Sequence, residues 1–383
     1  MSAREAYVWG LPTVDMYRIL RNFALDPSSP EFKAPLGQIA HTRRVADPSD
    51  VSVVAMNVDT PYSWAWLDLR PGPVELHMPA HEPERYMSAM VADLYTYVVG
   101  YVTPRTSGAD GETVLIAGPG WEGTSDLRVL RCPTELCVVL CRTQMFGADD
   151  LETVWALQDQ ITVTPTQAEP LPPLVTPVDV RKPPTAQFLT VLDWMLPLMP
   201  TLPGEEDLRK RIAALPADDS TLPGLDEGFH DLMARMATVR SSAELFGSRE
   251  HYAGDHLARA AGAYLGILGN AAEEYLGVGY PGTFSGPHTI TFTSRPPVGA
   301  FWSITLYTEE QYLYDNPLNR YGISSRDVPA QGPFTITVSH EPPDDQRFWL
   351  PAPDGVYRLT FRTYLPGEAI RDGRWTAPPV VAL

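Results

Sequence analysis

The chain has 383 residues, more than one ordinary hydrophobic core accommodates, so we expect two domains or one elaborated sandwich. Its 29 Lys and Arg face 47 Asp and Glu, which gives a formal net charge of -18. This charge repels phosphate backbones and anionic lipid surfaces, so neither nucleic acid nor a membrane is an expected partner.

Cysteine usage and the N-terminal residues indicate a compartment. Cys132, Cys137 and Cys141 lie in one short stretch without a C-x-x-C pair, so neither a disulfide framework nor a zinc knuckle is predicted. The first residues lack a basic segment followed by an apolar run, and no stretch of about 18 apolar residues occurs. We expect a cytoplasmic protein.

The first predicted elements are a bent helix and a set of strands. Residues 3–24 carry apolar groups at helical spacing, but Gly10-Leu11-Pro12 interrupts them, so two short helices meeting at a bend are predicted. Short apolar runs cut by Pro and Gly then predict strands at 74–78, 113–117, 127–131 and 136–141. The run 136–141 is apolar throughout, which indicates a central strand covered on both faces.

A helical region is predicted next. Asp149-Asp150 can cap a helix that ends near Asp159, and the proline-rich stretch 164–184 has the composition of an extended linker. The pattern then predicts helices at 188–199, 205–215, 226–245 and 254–276. The last of these carries a long apolar stripe, which requires a partner such as a sheet.

From His288 onward, apolar and polar residues alternate, as expected for antiparallel strands with one buried face. Strands are predicted at 288–293, 301–307, 334–339 and 357–364. We therefore predict an α+β, mainly β fold, with two β-sandwich or jelly-roll-like modules bridged by a helical segment. The predicted boundaries are 1–175 for the N-terminal β-rich module with its leading helices, 176–277 for the helical connection and 278–383 for the C-terminal module.

The segment 57–68 contains the most unusual mixture of polar and aromatic residues. A carboxylate beside aromatic rings can have a raised pKa, and a neighbouring phenol can donate a proton, so Asp59 and Tyr62 are a candidate acid/base pair. Asn57 and Thr60 are candidate substrate-binding residues beside them. The alternative is an Asx turn, in which Asp59 or Asn57 accepts backbone N–H groups ahead of Pro61. Both interpretations stay open.

Two further segments repeat this mixture and supply more candidates for substrate binding. Tyr95 lies in the first, and Trp302 and Tyr307 lie in the second, where they are expected to wall a pocket. Asn319 and Arg320 follow in a polar loop. Arg320 can bind a carboxylate bidentately, or it can form an internal salt bridge that anchors its loop.

The sequence offers one weak metal-binding pattern. His77 and His81 are four residues apart and have Glu82 and Glu84 beside them, but Pro79 prevents the helix that would align the imidazoles. His77 also alternates with Leu76 and Met78 and should point outward. No metal and no cofactor is predicted.

Several runs resemble a known pair of domains. NVDTPYSWAWLDLRPGPVELHMP, YMSAMVADLYTYVVGYV and LIAGPGW are similar to the domain of unknown function twelve fifty-four. FWSITLYTEEQYLYDNPLNRYGISSRD and FWLPAPDGVYRLTFRTYLPGEAIRDGRWTAPPV are similar to its companion, domain of unknown function twelve fourteen. The resemblance implies two β-rich modules bridged by helices, and often a homo-oligomer, but it implies no reaction or cofactor. The matching positions are Asn57, Asp59, Thr60, Tyr62, Asp68, Asp93, Tyr95, Trp302, Tyr307, Asn319, Arg320, Tyr321, Trp349, Arg362, Tyr364 and Trp375.

The predicted function is acid/base catalysis without a metal, of the hydrolase, lyase, isomerase or cyclase type. The expected substrate is a small, partly apolar organic molecule, with a role in specialised metabolism as a hypothesis. Binding of a saccharide or another small ligand without turnover is the alternative, because sandwiches lined with Trp and Tyr commonly serve it. A third possibility is an oligomerisation or scaffold role for the C-terminal module without any ligand.

Overall fold

The computed structural model describes residues 3–50, 55–164, 167–239, 241–280 and 282–383. Over these residues the protein is mixed α+β with a large β content, and eighteen strands form four sheets. The strands of the first half are β1 (Ile39–His41), β2 (Tyr62–Asp68), β3 (Val74–Met78), β4 (Met87–Asp93), β5 (Val98–Val102), β6 (Glu112–Ala117), β7 (Arg128–Arg131), β8 (Leu136–Thr143) and β9 (Thr162–Val163). The strands of the second half are β10 (Tyr275–Gly279), β11 (Phe284–Ser285), β12 (His288–Phe292), β13 (Trp302–Thr308), β14 (Gly322–Ser324), β15 (Phe334–Ser339), β16 (Trp349–Pro351), β17 (Val356–Tyr364) and β18 (Val380–Ala382).

Most of the helices lie before and between the two groups of strands. The α-helices are α1 (Ala3–Leu20), α2 (Pro104–Ser107), α3 (Leu151–Gln160), α4 (Gln187–Met195), α5 (Glu206–Ala213), α6 (Leu222–Met236), α7 (Arg249–Tyr252), α8 (His256–Gly266) and α9 (Glu368–Arg371). A π-helix, Arg21–Leu25, continues α1, and 3-10 helices occupy Ala148–Asp150, Leu196–Leu198, Asp219–Thr221 and Ser242–Glu244. Within the described ranges, no helix has the length and apolar character that a bilayer crossing requires.

The two N-terminal sheets have the strand orders β1-β2-β8-β4-β5 and β7-β6-β3-β9. They enclose one apolar cluster, to which the first sheet contributes Val91 and Val139 and the second Leu76. The other face of the first sheet packs against α1, α4, α6 and α8 through residues such as Val138. Strand β8 is therefore central and buried on both faces along its whole length, which confirms the prediction for 136–141.

Helix α1 is continuous, so the predicted bend at Gly10-Leu11-Pro12 is wrong. Gly10 lies where a Cβ atom would come within 2.8 Å of the Leu192 side chain, so this glycine permits close contact with α4. A proline inside a helix costs about 3 kcal/mol. Burial of most of α1 against three other helices offsets that cost.

The last predicted helix of the connecting region also needs correction. Helix α8 ends at Gly266, not near residue 276, and Tyr275 begins strand β10. The backbone leaves the helical conformation at Ile267 and turns to positive φ at Leu268, followed by Gly269. The predicted stripe therefore combined a real helix with a turn and the start of a strand. The stretch 167–184 holds neither helix nor strand, as predicted.

The two C-terminal sheets have the orders β10-β17-β13-β14, with β11 also on β17, and β16-β15-β12-β18. They enclose a third apolar cluster that includes Ile304, Ile336 and Phe361. Strand β15 occupies the predicted range 334–339, and β13 and β17 agree with their predictions to within one residue at each end. Alternation along β13 directs Trp302, Ile304 and Leu306 into this cluster. The intervening side chains point to the opposite face of the sheet.

Candidate functional site

The loop before β2 directs one carboxylate towards the C-terminal sheets. The Asp59 backbone N–H donates 2.6 Å to Asn57 Oδ1, which closes an Asx turn. Because Asn57 supplies the turn acceptor, the Asp59 carboxylate is free for another partner, and Ser303 Oγ donates to its Oδ2 at 2.6 Å. Asp59 is only 9% exposed. Of the two interpretations of this segment, the Asx turn is present, and it leaves the carboxylate available for chemistry.

Polar side chains cover the face of β13 and β17 that points away from the C-terminal core. Ser303 pairs with Arg362 across the two strands, and Tyr275 of β10 pairs with Tyr364. Tyr307 follows Ser303 on the same face at the period of two residues that a strand imposes. The sheet therefore presents hydroxyl, phenol and guanidinium groups to the loop that carries Asp59.

Arg362 ties this face to the N-terminal loop. Its guanidinium donates to Thr305 Oγ1 at 2.8 Å, to Tyr307 OH at 2.6 Å and to the carbonyl of Ala55 at 2.8 Å. Tyr307 OH in turn donates 2.7 Å to the carbonyl of Met56. Arg362 is 4% exposed, and no described carboxylate lies within ion-pair distance of it. Its hydrogen-bond acceptors are all formally neutral.

A second buried arginine approaches from the N-terminal sheet. Arg142 of β8 lies opposite Tyr62 of β2 and places its guanidinium carbon 5.3 Å from the Tyr62 ring centre. Its Nη1 donates to Asn270 Oδ1 at 3.2 Å, which is its one side-chain hydrogen bond within the described residues. Arg142 is 7% exposed. It too forms no ion pair with any carboxylate that the structure describes.

Aromatic rings surround the phenol of Tyr364. Phe301 stacks on its ring at a centroid distance of 4.0 Å, and Tyr275 and Tyr86 lie at 5.3 and 5.4 Å. Burial raises the pKa of Tyr364 well above its usual value, and the nearby Asp59 carboxylate raises it further. Burial also raises the pKa of Tyr275. Both phenols are therefore protonated at neutral pH and available as hydrogen-bond donors.

Burial also raises the pKa of the Asp59 carboxyl, while the Ser303 hydrogen bond and the positive charge of Arg362 oppose that rise. Asp59 Oδ1 and the hydroxyls of Tyr275 and Tyr364 have no hydrogen-bond partner among the described residues, yet they are not sealed from solvent. These atoms can therefore bond a molecule that enters. We call the following residues the interface cluster: Asp59, Tyr62, Arg142, Tyr275, Ser303, Tyr307, Arg362 and Tyr364.

The predicted pair of Asp59 and Tyr62 is not a hydrogen-bonded pair. Tyr62 OH accepts from Asn57 Nδ2 at 3.4 Å, and its ring faces Arg142. Asp59 instead bonds Ser303, and its charge acts on the phenols of Tyr275 and Tyr364. Thr60 is buried and accepts a hydrogen bond from Asn57, so it belongs to the turn.

Four predicted binding residues lie away from the interface cluster. Tyr95 is buried against Trp9 in the helical layer and donates to the carbonyl of Pro200 at 2.9 Å. Trp302, 1% exposed, stacks in the core of the C-terminal sheets, because β13 directs it away from Ser303. Arg320 anchors its loop by donating to the carbonyls of residues 346 and 349, and Asn319 accepts from a neighbouring tyrosine. The structure therefore does not bring Tyr95 and Trp302 together with Asp59.

The interface cluster contains residues to which the sequence alone assigned no role. Arg142, Tyr275 and Ser303 were absent from the candidates, and Arg362 and Tyr364 were family positions without a role. The available signal was alternation, because Ser303, Thr305 and Tyr307 are polar at every second position of an otherwise apolar strand. Nothing in the sequence indicated that this face would meet residue 59.

Two small cavities lie outside the interface cluster. One lies between β4 and α8 beside Arg259 and another beside His81, and each has room for little more than one water molecule. His77 is exposed, as predicted. Across the ranges that the structure describes, no three His, Cys, Asp or Glu residues are arranged to hold a metal ion.

Two family models match the chain. Residues 36–165 match the model described as Protein of unknown function (DUF1254), and residues 278–368 match Protein of unknown function (DUF1214). Asp59, Tyr62 and Arg142 lie in the first match, and Ser303, Tyr307, Arg362 and Tyr364 lie in the second. The interface cluster is therefore assembled from both matched segments, with Tyr275 just outside the second.

A solved structure shares the fold. The VPA0106 protein from Vibrio parahaemolyticus is similar over 100% of this chain and 98% of its own, with a TM-score of 0.76 at 21% sequence identity. An uncharacterized protein from Burkholderia cenocepacia aligns over 98% of this chain and 86% of its own, with a TM-score of 0.46 at 11% identity. No curated protein matches the chain.

Proposed function

We propose that this chain, a tandem of the DUF1254 and DUF1214 domains, is an enzyme that transfers a proton to or from a small organic molecule at the interface cluster. The observation that carries the proposal is the state of Asp59. One of its oxygens bonds Ser303, while the other has no partner among the described residues and retains access to solvent. A desolvated carboxyl with a free oxygen is a suitable general base or acid.

The charged states of the cluster assign a role to each group. The raised pKa values of Tyr275 and Tyr364 keep these phenols neutral, so they donate hydrogen bonds and do not act as bases. Arginine does not lose its proton in proteins. Asp59 is thus the group of the cluster that can accept and return a proton, and the phenols stabilise negative charge that develops on the substrate.

The proposed reaction is of the type that a carboxyl and two phenols can catalyse without a metal. Asp59 removes a proton from the substrate, and Tyr275 or Tyr364 donates a hydrogen bond to the oxygen on which charge accumulates. Asp59 then returns the proton to the same or a neighbouring atom, or to a leaving group. Isomerisation follows when the proton returns to a neighbouring atom, and elimination follows when it goes to the leaving group.

Binding without turnover is the competing function. The jelly-roll-like character of the modules, a homo-oligomeric state and a cytoplasmic location remain expectations that accompany both functions.

The test is proton exchange in D2O, followed by NMR, on a panel of small carbonyl compounds, esters and hydroxy acids. We expect the wild-type protein to exchange or convert at least one of them and Asp59→Asn to lose that activity while keeping its melting temperature within a few degrees. Asp93→Asn is the matched control, because Asp93 is a fully buried carboxyl outside the cluster. Activity retained by Asp59→Asn, or no activity of the wild type on the whole panel, would overturn the proposal.

A further inference from the structure

The interface cluster holds an excess of buried positive charge. It contains two guanidinium groups, those of Arg142 and Arg362, and one carboxyl, that of Asp59. Neither arginine forms an ion pair with any carboxylate in the described part of the chain. With Asp59 ionised, the cluster lacks one negative charge, and with Asp59 protonated it lacks two. The chain has 47 acidic against 29 basic residues, so most buried arginines could have a carboxylate partner. The lack of one beside Arg142 and Arg362 in the described residues therefore suggests that a ligand supplies the negative charge.

Burying a guanidinium without a counter-charge is unfavourable, and arginine cannot escape this by losing its proton. Arg362 is compensated by three short hydrogen bonds to oxygen atoms. Arg142 has a single longer bond, to Asn270 Oδ1. Its Nε and Nη2 have no acceptor among the described residues, and neither atom is sealed from solvent. The unsatisfied positive charge is therefore located at Arg142.

The groups around Arg142 indicate the rest of the ligand. The ring of Tyr62 lies beside it, and Tyr62 and Tyr364 both raise the pKa of its guanidinium. Tyr275 lies within electrostatic range of Arg142 and of Asp59. Aromatic walls suit an apolar or aromatic body, while a guanidinium whose Nε–Nη2 edge is free suits a planar oxyanion. Asp59 Oδ1 can then accept a proton from the same molecule.

We infer that the substrate is a small organic acid whose carboxylate binds Arg142, with its apolar part against Tyr62, Tyr275 and Tyr364. The inference rests on the proposed function only in using the same site. A monoanion balances the cluster, since it pairs with Arg142 while Asp59 balances Arg362. A dianionic phosphate would leave surplus negative charge beside Asp59, so a carboxylate is the better match.

The probe is phenylacetate, with phenylacetamide as its uncharged counterpart and benzoate and cyclohexanecarboxylate as further acids. Calorimetric titration of the full-length protein should show binding of at least one acid and not of the amide. Arg142→Met should weaken that binding roughly 10- to 100-fold, because it removes charge-assisted hydrogen bonds. Arg142→Lys should recover part of it. Arg320→Met is the matched control, since that guanidinium also bonds neutral carbonyls but lies outside the cluster.

A separate measurement excludes misfolding as the cause. If Arg142 serves a ligand, Arg142→Met without any acid should melt at the wild-type temperature or higher, because the variant removes an uncompensated buried charge. A large loss of stability would identify Arg142 as a structural residue and overturn the inference. Equal binding of acid and amide, equal affinity of Arg142→Met and wild type, or no binding of any acid would do the same.

The two proposals fail separately. Asp59→Asn retains the carboxylate site, so it should still bind the acid while losing proton transfer. If the acid binds normally but no variant or wild-type protein exchanges protons, the anion site stands and the catalytic proposal fails. If Asp59 proves essential for turnover while Arg142→Met turns over neutral substrates as the wild type does, the catalytic proposal stands and the inference fails.

Discussion

Ser303 and Asp59 are 244 residues apart in the chain, and their side chains join in a hydrogen bond of 2.6 Å. The bond connects the loop before β2 to β13 and so links the N-terminal to the C-terminal sheets. A hydroxyl that donates to a carboxylate stabilises the ionised form, and this bond therefore tunes the acid as well as holding it.

Replacing Ser303 with Ala should raise the pKa of Asp59 further. The substitution removes the hydrogen bond that opposes the effect of burial, so the protonated carboxyl persists to higher pH. The measurement is an NMR titration of the Asp59 carboxyl carbon. Thr291→Ala, which removes an exposed hydroxyl on β12, is the control and should leave that pKa unchanged. An unchanged or lowered Asp59 pKa in Ser303→Ala would contradict the prediction.

Arg362→Met should loosen the loop that carries Asp59. The guanidinium donates to the carbonyl of Ala55 and to Tyr307, so its loss leaves buried acceptors without donors. We expect the free energy of unfolding to fall by about 2–4 kcal/mol. Hydrogen exchange should accelerate at the Met145 amide, which donates to the Asp59 carbonyl. Arg358→Met on the same strand should leave that exchange rate unchanged, and equal rates in both variants would refute the assignment.

Asp93 should make the protein less stable as the pH rises towards neutrality. Burial raises the pKa of this carboxyl to about 7, against the opposing effects of the Tyr97 amide and Arg259, and Oδ2 has no partner in the described structure. Between about pH 4 and pH 7 the folded protein keeps a proton that the unfolded chain releases. The free energy of unfolding therefore decreases with pH across this window, by an amount on the order of 4 kcal/mol.

Chemical denaturation at a series of pH values measures this effect. Asp93→Asn cannot titrate at this position, so its stability curve should be flatter than that of the wild type between pH 4 and 7. Parallel curves for the two proteins would show that Asp93 has an ordinary pKa in the folded state.

Trp302→Ala should act on stability alone. Trp302 stacks on Phe292 and Phe334 in the C-terminal core, so truncation should cost about 3–5 kcal/mol. The ligand affinity of molecules that remain folded should not change, because the ring points away from the interface cluster. Trp155→Ala, at a partly exposed position, should cost far less. A selective loss of ligand affinity in Trp302→Ala would restore Trp302 as a wall of the site.

Local patterns predicted the strands well. The range 74–78 was placed without error because Leu76 and its neighbours alternate between buried and exposed positions. Helix α8 was overextended because apolar spacing alone does not detect a chain that leaves the helix at Ile267. The end of α8 is determined by the backbone conformation of Ile267 and Leu268, and the spacing of apolar side chains carries no information about that conformation.

The site was harder to predict than the strands. Asp59 was identified because the segment around it is rich in polar and aromatic residues. Its hydrogen-bond partner, Ser303, lies on a strand of the C-terminal sheets. Arg142 was missed because it directly follows the wholly apolar run 136–141 of β8, where a charged residue is easily taken as the edge of the core. Pairing at such separation depends on how the sheets pack, which no pattern within a short window encodes.

The interface cluster is built from residues of both domains, which links the sequence of one domain to the chemistry of the other. Asp59 belongs to one domain, and the hydroxyl and guanidinium that lower its pKa against the effect of burial belong to the other. A substitution at Ser303 or Arg362 therefore changes the acidity of a residue that the other domain supplies. In a hybrid that joins the first domain of one such protein to the second domain of a distant relative, a different residue opposite Asp59 would change the pKa of that carboxyl.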